Sequence, residues 1–480
     1  MKRYIFCFLI ILGVNMSYGQ HFQVTLEAPQ YRSGIAYLTY RMGNNNLNVE
    51  DSAAMNNKGI ALFKGSRRLP GGIYVIVLPG KRLRVDFFVD KEQIITVKVA
   101  DTLDLEKKVT VLGSKENILY QEYQKYINGK GRQRDLEKNA YNLSVTKADS
   151  ALHEKKFNAL SKEMNDYREN LIKTQPHSMM AALLSAMKEP LIPIPNPRTH
   201  QDSLYNYNYY KAHYWDGITF MDERVIRTPI FLPKLERYYR EVMVQNPPDS
   251  IIKDADYKLL LARSSPEMYK FLLNWLTDEY INPKYMGQDA IFVHLFEKYH
   301  SKGLSNWLNE KQMDAISRRA YMLMANLIGE KAANLEMIDS TGKPTSLYDV
   351  NAEYIVICFW DPTCGHCREE IPRLDSIYQA SWKKHNVKIY AVLTQDEKVD
   401  LKTEWVNYIK DHKLGDWIHV YQTRDMEKAD LAAQKPGYHQ LYDVTLTPTL
   451  YLLDKEKRII GKKLTWQQLN DLMLVKWKTN

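Results

Sequence analysis

The sequence predicts a multidomain chain: an N-terminal all-β, sandwich-like domain, a middle all-α module and a C-terminal α/β domain. Three observations carry this. Short β-branched and aromatic runs, separated by turn residues, fill the stretch up to about residue 115. Apolar residues then recur at helical spacing as far as about residue 328. Beyond that point continuous apolar runs alternate with helical patterns. The length of 480 residues suits roughly three domains at about 150 residues each. With 45% hydrophobic and 26% charged residues the chain can build cores and is not wholly disordered.

The first residues have the pattern of a secretory signal peptide, expected over 1–19. Lys2 and Arg3 precede an apolar run through Val14, and Ser17 and Gly19 supply small residues for cleavage. The run is too short for a permanent membrane span, and no later stretch is long and apolar enough to be one. Cys7 lies inside the apolar core after Phe6, which argues against a lipid-anchored cysteine. An exported, periplasmic protein is expected, soluble or peripherally associated with a membrane. Its mature chain keeps Cys358, Cys364 and Cys367 in an oxidising compartment, where a close pair is a stable or a catalytic disulfide. The net charge of +9 is spread without long runs or aromatic interleaving, so no nucleic-acid partner is expected.

Within 20–115, strands are expected at 34–40, 59–63, 72–78, 83–89 and 93–99. Turn signals lie at Gly43–Asn44–Asn45–Asn46, Asn57–Lys58–Gly59, Pro70–Gly71–Gly72 and Pro79–Gly80. The stretch closes on Gly113–Ser114–Lys115–Glu116–Asn117. With that close and spacing it resembles a small β-domain of unassigned role that precedes redox domains in secreted Bacteroidetes proteins.

Within 116–328 the period is helical. Phe157, Leu160, Met164, Tyr167 and Leu171 form one stripe, and Met268, Phe271, Leu272, Trp275 and Leu276 another. Pro190, Pro193, Pro195 and Pro197 interrupt the region. The tyrosines at 205, 207, 209 and 210, with Tyr214 and Trp215, suit core packing better than a binding surface. Tyr214–Trp215–Asp216, Asp222–Glu223–Arg224, Pro248–Asp249–Ser250 and Gly287–Gln288–Asp289–Ala290 resemble an uncharacterised helical module found before the same redox domain.

Within 329–480, residues 354–360 read as a strand buried on both faces. A helix follows from Cys364, then a strand at 387–393, a helix at 400–412 and a strand at 417–421. A helix at 426–434, strands at 449–453 and 458–464, and a last helix capped by Thr465 complete the order. That order is the thioredoxin layout with an insertion.

The chemistry lies in Cys364–Gly365–His366–Cys367. On the first turn of a helix, positions i and i+3 face each other, so two sulfurs reach bonding distance. The free N–H groups and the positive end of the dipole favour a thiolate at the first, more exposed cysteine. Cys364 is therefore the expected nucleophile and Cys367 the resolving thiol. Gly365 and His366 are expected to tune the redox potential, with His366 leaning it toward oxidation. The redox-active disulfide Cys364–Cys367 needs no other cofactor.

The pair follows an apolar strand ending in Phe359–Trp360, Pro372 comes five residues after Cys367, and Thr445–Leu446–Thr447–Pro448–Thr449 stands just before a strand. With these features, 329–480 resembles the TlpA and ResA type of secreted thiol-disulfide oxidoreductase in the thioredoxin superfamily. The resemblance implies a cis bond between Thr447 and Pro448 beside the cysteines, and a substrate rest formed there. Trp360 joins Thr447 and Pro448 as an expected substrate contact. It also implies proton transfer by Glu370, for which a solvated first-turn glutamate is the alternative. Thioredoxin's buried aspartate is replaced by Cys358, either a small core residue or a third redox thiol. Asp361 places a negative charge near the thiolate.

Protein thiols and disulfides are the expected substrates, with an unidentified membrane or periplasmic redox partner regenerating the pair. Three rival readings stand beside this one. A peroxiredoxin-like peroxidase needs Pro-x-x-x-Thr/Ser-x-x-Cys, but the matching positions before Cys364 hold Ile357 and Asp361, and those before Cys367 hold Trp360 and Cys364. A zinc site needs two further ligands at metal-binding spacing, and none is evident, so no metal is expected. A binding protein with a structural disulfide remains the third.

Overall fold

The first strands are built from alternating sequences. In β1 (Phe22–Glu27), Phe22, Val24 and Leu26 point inward between polar neighbours. The computed structural model describes residues 22–103, 108–394 and 400–479, so the expected signal peptide lies outside the described residues. β2 (Ile35–Met42), β3 (Asn44–Ala54), β4 (Ile60–Gly65), β5 (Gly72–Val77), β6 (Arg84–Val89), β7 (Ile94–Val99) and β8 (Val109–Leu112) follow. They form two four-stranded sheets, ordered β4-β1-β7-β8 and β3-β2-β5-β6. Inward residues of both, such as Val24, Phe63 and Val97 from one and Leu38, Tyr74 and Phe87 from the other, share one core. The expected all-β sandwich is therefore present.

The Gly-Ser-x-x-Asn close does structural work. Gly113 has φ 84°, and a Cβ there would meet the Ile94 carbonyl oxygen at 2.5 Å. Ser114 then caps a helix over Lys115–Leu143, accepting from the Asn117 N–H at 3.3 Å. Asn117 is fully buried, accepts from the Phe88 N–H at 2.8 Å and donates to the Phe88 carbonyl at 2.7 Å. Asn117→Ala leaves both backbone groups unpaired in the interior, so urea unfolding should show a loss of about 2–3 kcal/mol.

The described residues fall into two compact units. The first holds the sandwich and the helices as far as Gln245, with Leu261–Tyr269. Its long helices Lys115–Leu143 and Lys147–Thr174 pair, with Tyr126 and Tyr167 stacked at 4.0 Å. Leu171, Met179 and Leu184 cover Ile73 and Phe88 on the outer face of the β5–β6 pair. That second cover explains why every residue of β5 is buried. Tyr214 is fully buried and its hydroxyl donates to the Lys234 carbonyl at 2.8 Å. Trp215, Phe220 and Tyr238 pack around it, so this part of the aromatic region is core.

The second unit is Asn246–Leu260 with Lys270–Asn480. It includes the helices Asp289–Leu295 and Glu310–Met324, so the helical region expected as one module is shared between the two units. Its sheet has seven strands, ordered β10-β9-β13-β12-β11-β14-β15. These are β9 (Glu336–Asp339), β10 (Pro344–Ser346), β11 (Tyr354–Trp360), β12 (Val387–Leu393), β13 (Ile418–Tyr421), β14 (Thr449–Asp454) and β15 (Ile459–Lys462). β11 lies centrally, parallel to β12 and antiparallel to β14. Cys358 and Trp360 face one core with Cys367, Leu374 and Trp405, while Ile357 and Phe359 face another with Tyr442 and Tyr451. All seven β11 residues are buried, as its apolar run requires.

Candidate active site

The site begins where β11 ends. Asp361 accepts from the Thr363 N–H at 2.6 Å and from its hydroxyl at 2.7 Å. Its carbonyl takes the Cys364 N–H at 3.2 Å, turning the chain off the strand edge. Cys364 is the N-cap of the helix Gly365–Ala380, and its carbonyl accepts the Arg368 N–H at 3.1 Å. Arg368 also donates through Nε to the Pro362 carbonyl at 2.8 Å, which pins the turn.

The two sulfurs differ in environment. Cys364 is half-buried, and Cys367 is buried on the inner side of the helix. Partial burial alone pushes the Cys364 thiol up. The Thr447 side chain, the first-turn amides of Cys367 and His366 and the Cys367 thiol pull it down by more, to about 7. Burial pushes Cys367 to about 12, although the Asp361 N–H donates to its sulfur at 3.5 Å. The Thr447–Pro448 bond is cis. The Cys364 thiol lies 3.5 Å from the Thr447 carbonyl oxygen, as donor to acceptor. Strand-distant residues 364 and 447 are thus neighbours in space.

The other expected residues are placed as follows. Gly365 is exposed, and a Cβ there would meet nothing within 4 Å. The His366 side chain is exposed, and it is the backbone amide that favours the Cys364 thiolate. Glu370 pairs with Arg373 along the helix at 3.1 Å. Cys358 is fully buried in the strand, and burial raises its thiol well above the ordinary range. Trp360 needs a correction: it is fully buried, so its ring cannot touch a docking chain. It packs against Tyr408 at 5.3 Å and His419 at 6.5 Å, in the core that also holds Cys367. Burial holds His419 near 4, hence neutral, and its Nε2 bonds the Leu414 carbonyl at 2.8 Å.

Three neighbours were not singled out in the sequence. Thr363 and Arg368 hold the turn. Leu446, 78% exposed beside Thr447, is a large apolar side chain in an otherwise polar loop, and that contrast was its available signal. Among the described residues no group of three or more His, Cys, Asp or Glu is arranged to hold a metal ion. No described helix is long and apolar enough to cross a membrane.

Residues 328–461 match the model of the AhpC/TSA family. The chain is 27% identical over 134 residues to the thiol-disulfide oxidoreductase ResA of Bacillus thuringiensis, a match covering 28% of this chain and 67% of that protein. It is 24% identical over 132 residues to the thioredoxin-like protein YneN of Bacillus subtilis, covering 28% and 68%. A solved domain of a possible thiol-disulfide isomerase from Cytophaga hutchinsonii is 34% identical, with 32% of this chain and 95% of that one covered and a TM-score of 0.27. A thioredoxin-like protein from Bacteroides caccae is 22% identical, covering 60% and 98%, with a TM-score of 0.44. Over residues 328–461 the chain is therefore an AhpC/TSA-family domain, thioredoxin-like in fold and homologous to the ResA type of thiol-disulfide oxidoreductase.

Proposed function

We propose that this protein exchanges disulfides with exported protein substrates through Cys364 and Cys367. The observation that carries the reading is the inequality of the two thiols, one near 7 at a helix tip and one near 12 beneath it. In the reducing direction the Cys364 thiolate attacks one sulfur of a substrate disulfide. A Cys364–substrate disulfide forms, and the other substrate sulfur leaves as a thiolate and takes a proton from solvent. Cys367 then gives up its proton as its sulfur attacks Cys364. The Cys364–Cys367 disulfide forms, the second substrate sulfur departs, and it takes up that proton. Two electrons pass from the pair to the substrate, and the reverse sequence oxidises a dithiol.

Thr447 and Pro448 form the rest for an extended substrate chain, and Gly365 with His366 tunes the potential. Glu370 carries the proton of Cys367 once it exchanges Arg373 for the thiol. Stabilising the Cys364 thiolate stabilises the reduced pair and makes its disulfide the better oxidant, with His366 as tuner. Residues 1–19 direct export to the periplasm, where a redox partner in or at the membrane regenerates the pair. Residues 329–480 perform the exchange.

Alkylation of the reduced protein with iodoacetamide, followed residue by residue by mass spectrometry, tests this. Cys364 should show an inflection near pH 7. At that pH it should react about threefold or more faster than a free cysteine peptide, allowing for its weaker intrinsic nucleophilicity. The reading fails if neither Cys364 nor Cys367 outpaces the peptide. A thiol peroxidase is the alternative reading, and it is less favoured. Peroxide consumption without added dithiol would favour it, against the Ile357 and Asp361 that occupy its motif positions.

A further inference from the structure

The turn leading into the Thr447–Pro448 loop is held by the helices that precede the thioredoxin-like sheet. Asp443 follows the short helix Tyr438–Leu441 with φ 45°, a left-handed conformation that side chains other than glycine rarely adopt. Its carboxylate is fully buried, and each oxygen is taken by a cation. Arg319, from the helix Glu310–Met324, donates through Nη1 to one oxygen at 2.8 Å and through Nε to the Ile281 carbonyl at 3.1 Å. Lys463 Nζ bonds the other oxygen.

A second tie lies beside the first. Asn326, fully buried just past the same helix, donates to the Leu441 carbonyl at 3.0 Å. Lys462 Nζ in turn donates to the Asn326 side-chain oxygen at 2.9 Å and to its carbonyl at 2.8 Å, and pairs with Asp289. Tyr442 donates from its hydroxyl to the Ala333 carbonyl. Residues 441–443 are thus fixed from three sides. Past buried Val444 the chain is exposed at Thr445 and Leu446 before it reaches Thr447. The far end of the loop is closed by the Thr449 hydroxyl on the Leu446 carbonyl at 2.6 Å. The placing of Thr447 against Cys364 is therefore set from these two ends.

We propose that Asp443, clamped between Arg319 and Lys463, is a positioning residue for the exchange reaction: it orients the loop that presents Thr447 to Cys364 and makes the helix Glu310–Met324 a working support of the active site. The inference rests on the assignment of Cys364 as the attacking sulfur. Burying a carboxylate is costly unless it is paired, and pairing it with two cations on separate elements locks both elements to the turn. Releasing the clamp loosens Thr447 from Cys364, and with it the carbonyl that the thiol donates to and the side chain that pulls the thiol down.

The test uses the full reduced chain and residue-resolved iodoacetamide alkylation across pH, with thermal melting recorded in parallel. Asp443→Asn keeps the shape and tolerates the left-handed conformation but removes the charge. Arg319→Met removes the cation and retains an apolar stem. In both, the Cys364 inflection and its alkylation rate at pH 7 should move away from the wild-type values. Arg319→Lys, which keeps a cation, should recover most of the wild-type profile. If Asp443→Asn does not fold, Arg319→Met carries the test, because its side chain is partly exposed. Wild-type inflections retained in every folded variant overturn the clamp and leave the Cys364 assignment standing. An ordinary thiol profile in the wild type overturns both.

Discussion

Replacing Cys364 by serine is expected to reduce disulfide exchange by on the order of 10³-fold or more, with the fold intact. A serine hydroxyl is not ionised near neutrality, so nothing at the helix tip can attack a substrate sulfur. The residue is half-buried, in van der Waals terms nearly unchanged by the substitution, so melting should move little. Cys367→Ser should behave differently. It leaves Cys364 able to attack but unable to be released, so the enzyme should accumulate as a mixed disulfide that non-reducing electrophoresis and mass spectrometry detect. Insulin reduction, measured by turbidity with dithiothreitol as the electron source, gives the rate. Undiminished exchange by Cys364→Ser would show that the cysteine pair is only a staple.

Trp360→Ala is expected to cost about 3–5 kcal/mol of stability, read from urea unfolding of the reduced protein. The ring is fully buried against Tyr408, so truncation leaves a cavity in the core that also holds Cys367. Trp360→Phe should be far milder, below about 1.5 kcal/mol, because it keeps most of the volume. It also removes an indole N–H that is buried and without a hydrogen-bond partner among the described residues. A contact residue would behave in the opposite way, with stability preserved and KM raised in the phenylalanine variant. That pattern would reinstate Trp360 at the substrate surface.

These two residues show how far local sequence carries. Cys364 and Cys367 were readable because helix periodicity alone brings i and i+3 together, and the apolar run before them marks a buried strand end. The same run misled about Trp360. Strand residues alternate between faces, and only the packing of the helix Gly365–Ala380 and of Tyr408 decides that position 360 is closed off. Most strands of the sandwich were legible from their β-branched and aromatic runs, but β1, β3 and β8 were not expected. Asn44–Asn45–Asn46 looks like a turn, yet Gly43 alone, at φ 78°, makes the reversal and the asparagines enter the strand. The β9–β10 hairpin was missed because its strands hold 4 and 3 residues, too few for a period to emerge. The clamp on Asp443 was invisible for another reason: Arg319 lies 124 positions away, and nothing local pairs the two.

The side-chain amide of Asn117 has a consequence beyond the stability it supplies. β6 is the last strand in its sheet, so one row of its peptide groups has no neighbouring strand. By engaging both groups of Phe88, Asn117 behaves as a one-residue strand laid along that rim. A foreign chain trying to extend the sheet there meets donors and acceptors already spent. At Phe88 this stopper therefore opposes templated self-association as well as unfolding.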